Sequence, residues 1–253
     1  MNRTPLVIIF LAGLFACQQG PKDMVLIPQG KFILGILPGQ NSPRFMSERT
    51  TGLNAQPQQE YFVDSFYIDR FEVTYADFMR FKPQAKYKVV EPNEPMRGVS
   101  WYEADAYCAW TGKRLPTEFE WEKAARGGDD RLFVWGQESH NDWANLGKTV
   151  QPVGSFKKDL SLAGVLDMTG NVSEWTASWY RPYPNSTYKD ENFGEKLKVS
   201  RGGGIQKREH GFMQEFITIP YRNPLPPTGR FWDTGFRCAL SAKQDPRPNL
   251  MTH

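Results

Sequence analysis

Histidine and cysteine are scarce, at 3 residues each in a chain of 253. That is too few for a zinc-ribbon array or a multi-histidine metal cage. Neither sign of charge dominates: 31 lysines and arginines stand against 28 aspartates and glutamates, a formal net charge of +3. So near a balance there is no electrostatic footprint of a nucleic-acid binder, and no such partner is expected. The chain shows no internal repeat at a fixed period and no apolar run long enough to span a bilayer. What it has in quantity is aromatic: 14% of residues, with 8 Trp, among 22 Gly and 19 Pro. Rings set among so many turn-formers point to a loop-rich fold packed around aromatics, and away from a helical bundle or coiled coil. The length is ample for one large domain with a core.

The first residues read as an address. Arg3 supplies a positive start, and Leu6 to Ala16 is apolar apart from Gly13, the length of a signal-peptide core. The run ends Leu14-Phe15-Ala16-Cys17, which resembles a bacterial lipobox, with Cys17 lipidated after cleavage. An ordinary secretory signal with a chance cysteine is the alternative. Residues 17–23 then form a short polar tether. Export would place the chain in the bacterial cell envelope, lipid-anchored to the membrane, with the outer membrane favoured where one exists. It would also leave Cys108 and Cys238 as an even pair in an oxidising compartment, where a disulfide is expected and two separate buried thiols are the alternative.

Met24–Pro28 and Gly30–Gly35 read as two short strands around a Pro/Gly turn, 36–59 as a loop, and Phe62–Asp69 as strand. Thr74 opens a helix with Asp77 as its capping partner. Ser100-x-x-Glu103 caps a second helix that Gly112 ends, and Thr117-x-x-Glu120 caps a third that runs to Gly127. Trp101, Ala104 and Cys108 share a helix face expected to point inward. Beyond residue 130 no long periodic segment survives. The reading is a single α+β domain over 24–240, its second half largely coil, with 241–253 a loose tail.

Several strings occur in an order that resembles the formylglycine-generating enzyme family, or sulfatase-modifying-factor domains. They include Phe71-Glu72-Val73-Thr74, Gly112-Lys113-Arg114-Leu115-Pro116-Thr117-Glu118, Gly170-Asn171-Val172 with Glu174-Trp175-Thr176, Arg201-Gly202-Gly203 and Gly235-Phe236-Arg237-Cys238-Ala239. The resemblance covers nearly all of 24–240. It implies the family's variant of the C-type-lectin-like fold, with little regular secondary structure, and it matches Cys108 and Cys238 to the family's structural disulfide.

The resemblance also implies a chemistry: oxidation of a substrate cysteine to an aldehyde by copper(I) held on two thiolates, soft ligands suited to that ion. Those thiols would lie between Arg-Gly-Gly and Gly-Phe-Arg-Cys, and residues 204–234 contain no cysteine. The matching positions fall near Gln214 and Ile219, so copper is not expected. His140, His210 and His253 show no ligand spacing, so the iron centre of related sulfoxide synthases is not expected either. Glu209 and His210, with Gln214 and Arg222, remain candidate catalytic residues for proton transfer, against a solvated polar loop. By the same resemblance Asn171, the Val172 carbonyl and Glu174 are candidate ligands of a structural calcium, hard oxygens on a tight loop, against a turn that only hydrogen-bonds itself. Asn145 is expected to cap a turn. Trp101, Trp121, Trp135, Trp175 and Trp179 are read as core, and Trp232 as the ring to test for ligand contact. The functional expectation is a lipid-anchored, non-catalytic module for an envelope protein complex or a surface ligand. The alternative is an exported enzyme with a rebuilt site.

Overall fold

Local capping explains where the helices begin. In the computed structural model, which describes residues 21–39, 52–84, 86–87, 91–205 and 214–242, α1 (Tyr75–Phe81) starts where the Thr74 hydroxyl accepts the Asp77 amide at 3.1 Å. Helices α2 (Trp101–Trp110) and α3 (Glu118–Arg126) each begin with a full capping box, Ser100 with Glu103 and Thr117 with Glu120. Each box satisfies amides that the first turn would otherwise leave open. The leader, Cys17, Glu209, His210 and His253 lie outside the described residues. Among the described residues, no helix is long and apolar enough to cross a membrane.

Among the described residues, three sheets surround α3. Strand β4 (Phe66–Asp69) pairs antiparallel with β1 (Met24–Ile27) on one edge and β9 (Ala239–Ser241) on the other. Strands β2 (Gly30–Leu34) and β3 (Gln59–Val63) form a hairpin of their own. The stretch read as one strand over 62–69 is therefore two, parting at Asp64-Ser65, where the chain leaves one sheet for another. The second half is largely coil, as expected, but it also carries short strands. Strands β5 (Ser173–Trp179), β6 (Lys198–Arg201), β7 (Asn223–Leu225) and β8 (Thr234–Gly235) form a sheet in the order β7-β6-β5-β8, with β5 and β8 parallel.

Helix α3 is nearly all buried, which an isolated surface helix with Glu118, Glu120, Glu122, Lys123 and Arg126 would not be. Its charges are held inside. Lys123 Nζ donates to the carbonyls of Pro28, Gly30 and Val63 at 2.7, 2.9 and 3.3 Å, pinning the turn between β1 and β2 and the end of β3. Trp121 sits with Leu34, Phe66 and Ile68 in one apolar core, and Phe78, Tyr107, Trp175 and Phe236 in another. The Cys108–Cys238 disulfide lies in the second, joining α2 to the approach of β9 across 130 residues. Of the α2 face expected to point inward, Ala104 and Cys108 are buried, but Trp101 is half-buried. Its indole N–H reaches the Thr176 carbonyl at 2.8 Å while its ring faces Lys198.

Candidate functional site

A layer of buried charges ties α3 to β6 and to the approach of β7. Glu118 and Glu122 of α3 meet Arg201 at the end of β6 and Arg222 ahead of β7. Arg222 grips Glu118 with Nε at 2.7 Å and Nη2 at 2.9 Å, and donates to the carbonyls of Asn54 and Arg181. The Tyr183 ring lies 4.2 Å from its guanidinium carbon. With 1% of its surface exposed, Arg222 has no free donor edge to offer a substrate and is a structural cation. Arg201 spans Glu118, Glu122, the Tyr183 hydroxyl and the Ile219 carbonyl. Burial alone would push Glu122 up, but the guanidiniums of Arg201 and Arg126 outweigh it and hold its carboxyl below the usual range.

Ile219, one of the two positions matched to a family thiol, is core: it is 1% exposed and its amide donates to the Leu132 carbonyl at 2.7 Å. Gln214 opens a single 3-10 turn, Gln214–Ile217. Glu209 and His210 fall outside the described residues, so of the four candidates the structure places only Arg222 as a side chain, and it places it away from chemistry.

The Gly-Asn-Val-Ser-Glu turn is assembled from several elements. Asp167 and Asn171 both take left-handed backbone, at φ 58° and 67°, a conformation that Asp and Asn tolerate better than most residues. Gly170 must be glycine, since a Cβ there would stand 2.6 Å from the Asn145 carbonyl oxygen. Asn171 Oδ1 accepts from Asn145 Nδ2 at 2.9 Å and the Gln151 amide at 3.0 Å, and its Nδ2 donates to Glu72 Oε1 at 3.1 Å. Asn145 also closes the turn ahead of Gln151 by donating to the Thr149 carbonyl. Glu174 is held by Arg237, Nη2 to Oε1 at 2.6 Å and Nε to Oε2 at 2.7 Å, and by the Trp121 indole at 2.8 Å.

This arrangement bears on the calcium expectation. A calcium ion needs oxygen lone pairs turned toward it, and the side-chain oxygens of Asn171 and Glu174 already face N–H donors. As folded, that set does not fit the ion. Among the described residues no group of three or more His, Cys, Asp or Glu side chains is arranged to hold a metal.

Around the turn lies a group of buried acids, one of which, Glu72, falls in a string that carries the family resemblance. Glu72, Asp159 and Asp167 are 2%, 1% and 3% exposed. Burial raises all three, Glu72 well above its ordinary value and Asp159 to about 7. No motif signals Asp159, which follows two lysines in what reads as a solvated loop.

Beside the same turn lies the buried Ser173 at the start of β5. Its hydroxyl sits 3.0 Å from Thr234 Oγ1 and 3.4 Å from the Asp233 carbonyl. Of the five tryptophans read as core, Trp121 and Trp175 are fully buried; Trp101, Trp135 and Trp179 are half-exposed. Trp101 and Trp179 sandwich Lys198 Nζ at 3.9 and 3.8 Å. Trp135 stacks on Phe133, and His140 stacks on Trp143 with 3.8 Å between ring centres, in a surface cluster rather than a metal site. Trp232 is 38% exposed.

Comparison with known proteins decides the lineage. The sulfatase-modifying factor enzyme 1-like domain matches residues 14–242. The chain belongs to that family. Within the sulfatase-modifying factor family it is 42% identical to hercynine oxygenase of Mycobacterium tuberculosis over 128 residues, 45% of this chain and 30% of that protein. It is 28% identical to the mouse (Mus musculus) protein named inactive C-alpha-formylglycine-generating enzyme 2, over 94% of this chain and 93% of that one. Among solved structures it resembles PvdO from Pseudomonas aeruginosa, with a TM-score of 0.66, 26% identity, and coverage of 87% and 96% of the two chains. The α+β architecture is the family's form of the C-type-lectin-like fold, and the disulfide expected from the cysteine count is part of it.

Proposed function

We propose that this protein is a lipid-anchored component of a bacterial envelope that uses its sulfatase-modifying-factor domain as a rigid, non-catalytic binding or assembly module. The observation that carries this is the fate of the thiols. Residues 204–234 contain no cysteine, Ile219 is core, and the two cysteines of the folded domain are bonded to each other. A domain with no thiolate there cannot ligate copper(I) as the family's aldehyde-forming members do. The mouse relative named inactive spans nearly the whole chain, so the fold persists in members without the reaction. Gentle membrane solubilisation followed by affinity purification is expected to bring down a stoichiometric envelope partner, and Cys17→Ser to release the protein from the membrane fraction. A peptide bearing Cys-x-Pro-x-Arg, incubated with the protein and copper, is expected to gain no aldehyde.

A second reading, an oxidase rebuilt around Glu209, His210 and Gln214, draws on the 42% local identity to hercynine oxygenase. Elemental analysis of the mature protein separates the two. Stoichiometric copper or iron would overturn the module reading, and their absence together with a recovered partner supports it.

A further inference from the structure

The hairpin that leads into the Asp167–Asn171 turn is built inside out. Its arms are closed by the Ser161 amide on the Val165 carbonyl at 2.8 Å, the Asp167 amide on the Asp159 carbonyl at 3.0 Å, and an antiparallel bridge between Leu160 and Leu166. Along the first arm the polar residues point inward: Asp159 and Ser161 are 1% and 3% exposed. The Asp159 carboxyl accepts the Thr169 and Gly170 amides, and the Ser161 hydroxyl accepts the Val165 amide at 3.1 Å. Side chains alternate along a bridged arm, so these anchors turn Leu160 and Leu162 outward. The two leucines are 43% and 66% exposed, and Leu162 is the most exposed large apolar side chain among the described residues. A lone surface leucine needs no account, but two presented in this fixed way do.

The surroundings of the leucines are basic and aromatic. Lys158 holds its Nζ over the Trp143 ring, 4.3 Å from the centroid, and Trp143 meets Trp135 edge to face at 5.7 Å. Lys157, on the same turn, donates to the Gly154 carbonyl at 2.6 Å. From Trp143 to Gly164 the exposed charges are all positive, Lys148, Lys157 and Lys158, because the acid of that stretch, Asp159, is turned inward. Asp142, just before Trp143, is the nearest exposed acid along the chain. Leucines at a tip, half-buried tryptophans behind them and lysines around them suit a surface that meets anionic lipid headgroups.

The start of the domain lies against the same hairpin. The Asp23 carbonyl accepts the Arg70 amide and the Arg70 carbonyl accepts the Leu166 amide, both at 2.9 Å. A lipid on Cys17 would reach Asp23 through at most about 22 Å of chain. We propose that this hairpin is the face the domain lays on an anionic bilayer: Leu160 and Leu162 enter the boundary between headgroups and acyl chains, with Trp143 beside them, and Lys148, Lys157 and Lys158 meet the lipid phosphates. This seating rests on the reading of Cys17 as a lipid anchor. The lipid supplies the first hold and the hairpin the second, and over so short a tether weak contacts suffice.

The test uses the mature lipidated protein, purified from membranes and reconstituted into vesicles of phosphatidylethanolamine with phosphatidylglycerol, or of phosphatidylcholine alone. With Cys17 lipidated and Cys108 bonded to Cys238, the thiol of Leu162→Cys is the single site for a nitroxide label. On anionic vesicles the label is expected to be open to oxygen and hidden from a water-soluble nickel chelate. A label at Tyr102→Cys, on α2, stays open to the chelate. On phosphatidylcholine, or with Lys148, Lys157 and Lys158 replaced by Gln, the Leu162→Cys label returns to water, each lysine changing the ratio of seated to free protein by roughly fivefold. A label open to the chelate on anionic vesicles overturns the proposal. One hidden from both probes is covered by protein, such as a second copy of the chain, and overturns it too. Mass analysis of the mature amino terminus reports the anchor separately. Should Cys17 carry no lipid, the anchor reading falls, and flotation of the exported chain with the same anionic vesicles decides the hairpin: flotation that is lost in Leu160→Ser/Leu162→Ser keeps it, and no flotation overturns it.

Discussion

Replacing Arg222 by methionine separates a structural cation from a catalytic one. The substitution keeps the volume of the side-chain stem and removes the guanidinium. Glu118 then loses both arms of its bidentate pair and is left with Arg201 Nη1 at 3.3 Å, at a position 3% exposed. The carbonyls of Asn54 and Arg181 lose donors at 2.5 and 2.8 Å. Breaking one side of a buried ion pair costs about 3–5 kcal/mol, a large fraction of the roughly 5–15 kcal/mol that holds a domain folded. For a chain of this size that lowers Tm by roughly 6–20 °C. Urea unfolding followed by tryptophan fluorescence measures it, since Trp121 and Trp175 are both fully buried. Arg222→Lys should fall between wild type and Met, because one ammonium cannot reproduce a two-armed grip. The double variant Arg222→Met/Glu118→Gln should be less destabilised than the sum of its parts, since it no longer buries an unpaired carboxylate. An Arg222→Met protein within about 1 kcal/mol of wild type that has nevertheless lost partner or ligand binding would refute this reasoning and return Arg222 to the functional site.

Three further outcomes can be checked on the same protein. Burial lowers Lys198 to about 8, against the smaller opposing pull of Asp105 and Glu195; with the folded value below the unfolded one, stability should rise as pH goes from about 8 toward the ordinary lysine range, and Lys198→Met should abolish that rise in urea midpoints. Burial works to raise Glu103, but hydrogen bonds from the Ser100 amide, Arg230, Lys82 and Tyr87 outweigh it and hold the carboxyl down to about 2; its contribution is present above the ordinary glutamate range and is lost as pH falls through about 2, so Glu103→Gln should lower Tm at pH 7 and leave it unchanged near pH 2. Reducing the Cys108–Cys238 bridge, which closes 130 residues, should cost about 5 kcal/mol on the chain-entropy model, read from denaturant unfolding with and without reductant.

The parts of this fold that are written locally are legible in the order of the amino acids. Thr74, Ser100 and Thr117 each announce a helix because the cap and its partner lie three residues apart. The strands of the second half are silent for the opposite reason. Lys198 to Arg201 are all buried, and so are Ser173 to Thr176, so no alternation of apolar and polar residues marks them. Lys198 and Arg201 even argue for a surface, because the rings and carboxylates that receive them lie far away in sequence. The candidate site divides in the same way. The cysteine pair could be matched by counting, whereas Arg222 reads as an available cation until Glu118, 104 residues earlier, is seen to hold it. Asp159 belongs with the silent group, since nothing in Lys-Lys-Asp-Leu says that the aspartate turns inward.

Strand β4 carries a further consequence, for the order of events in making the protein. Its two edges are filled from opposite ends of the domain, by β1 at residues 24–27 and by β9 at residues 239–241. A chain that emerges amino-terminus first can build only one of these pairings early. The second edge of β4 stays open until nearly the whole domain has been delivered, and the partner of Cys108 arrives in the same last stretch. Completion of the sheet and closure of the disulfide are therefore late, coupled steps, and pairings so distant in sequence form slowly. The fold is thus sealed by its carboxyl-terminal strand, once nearly all of the domain is available to pair.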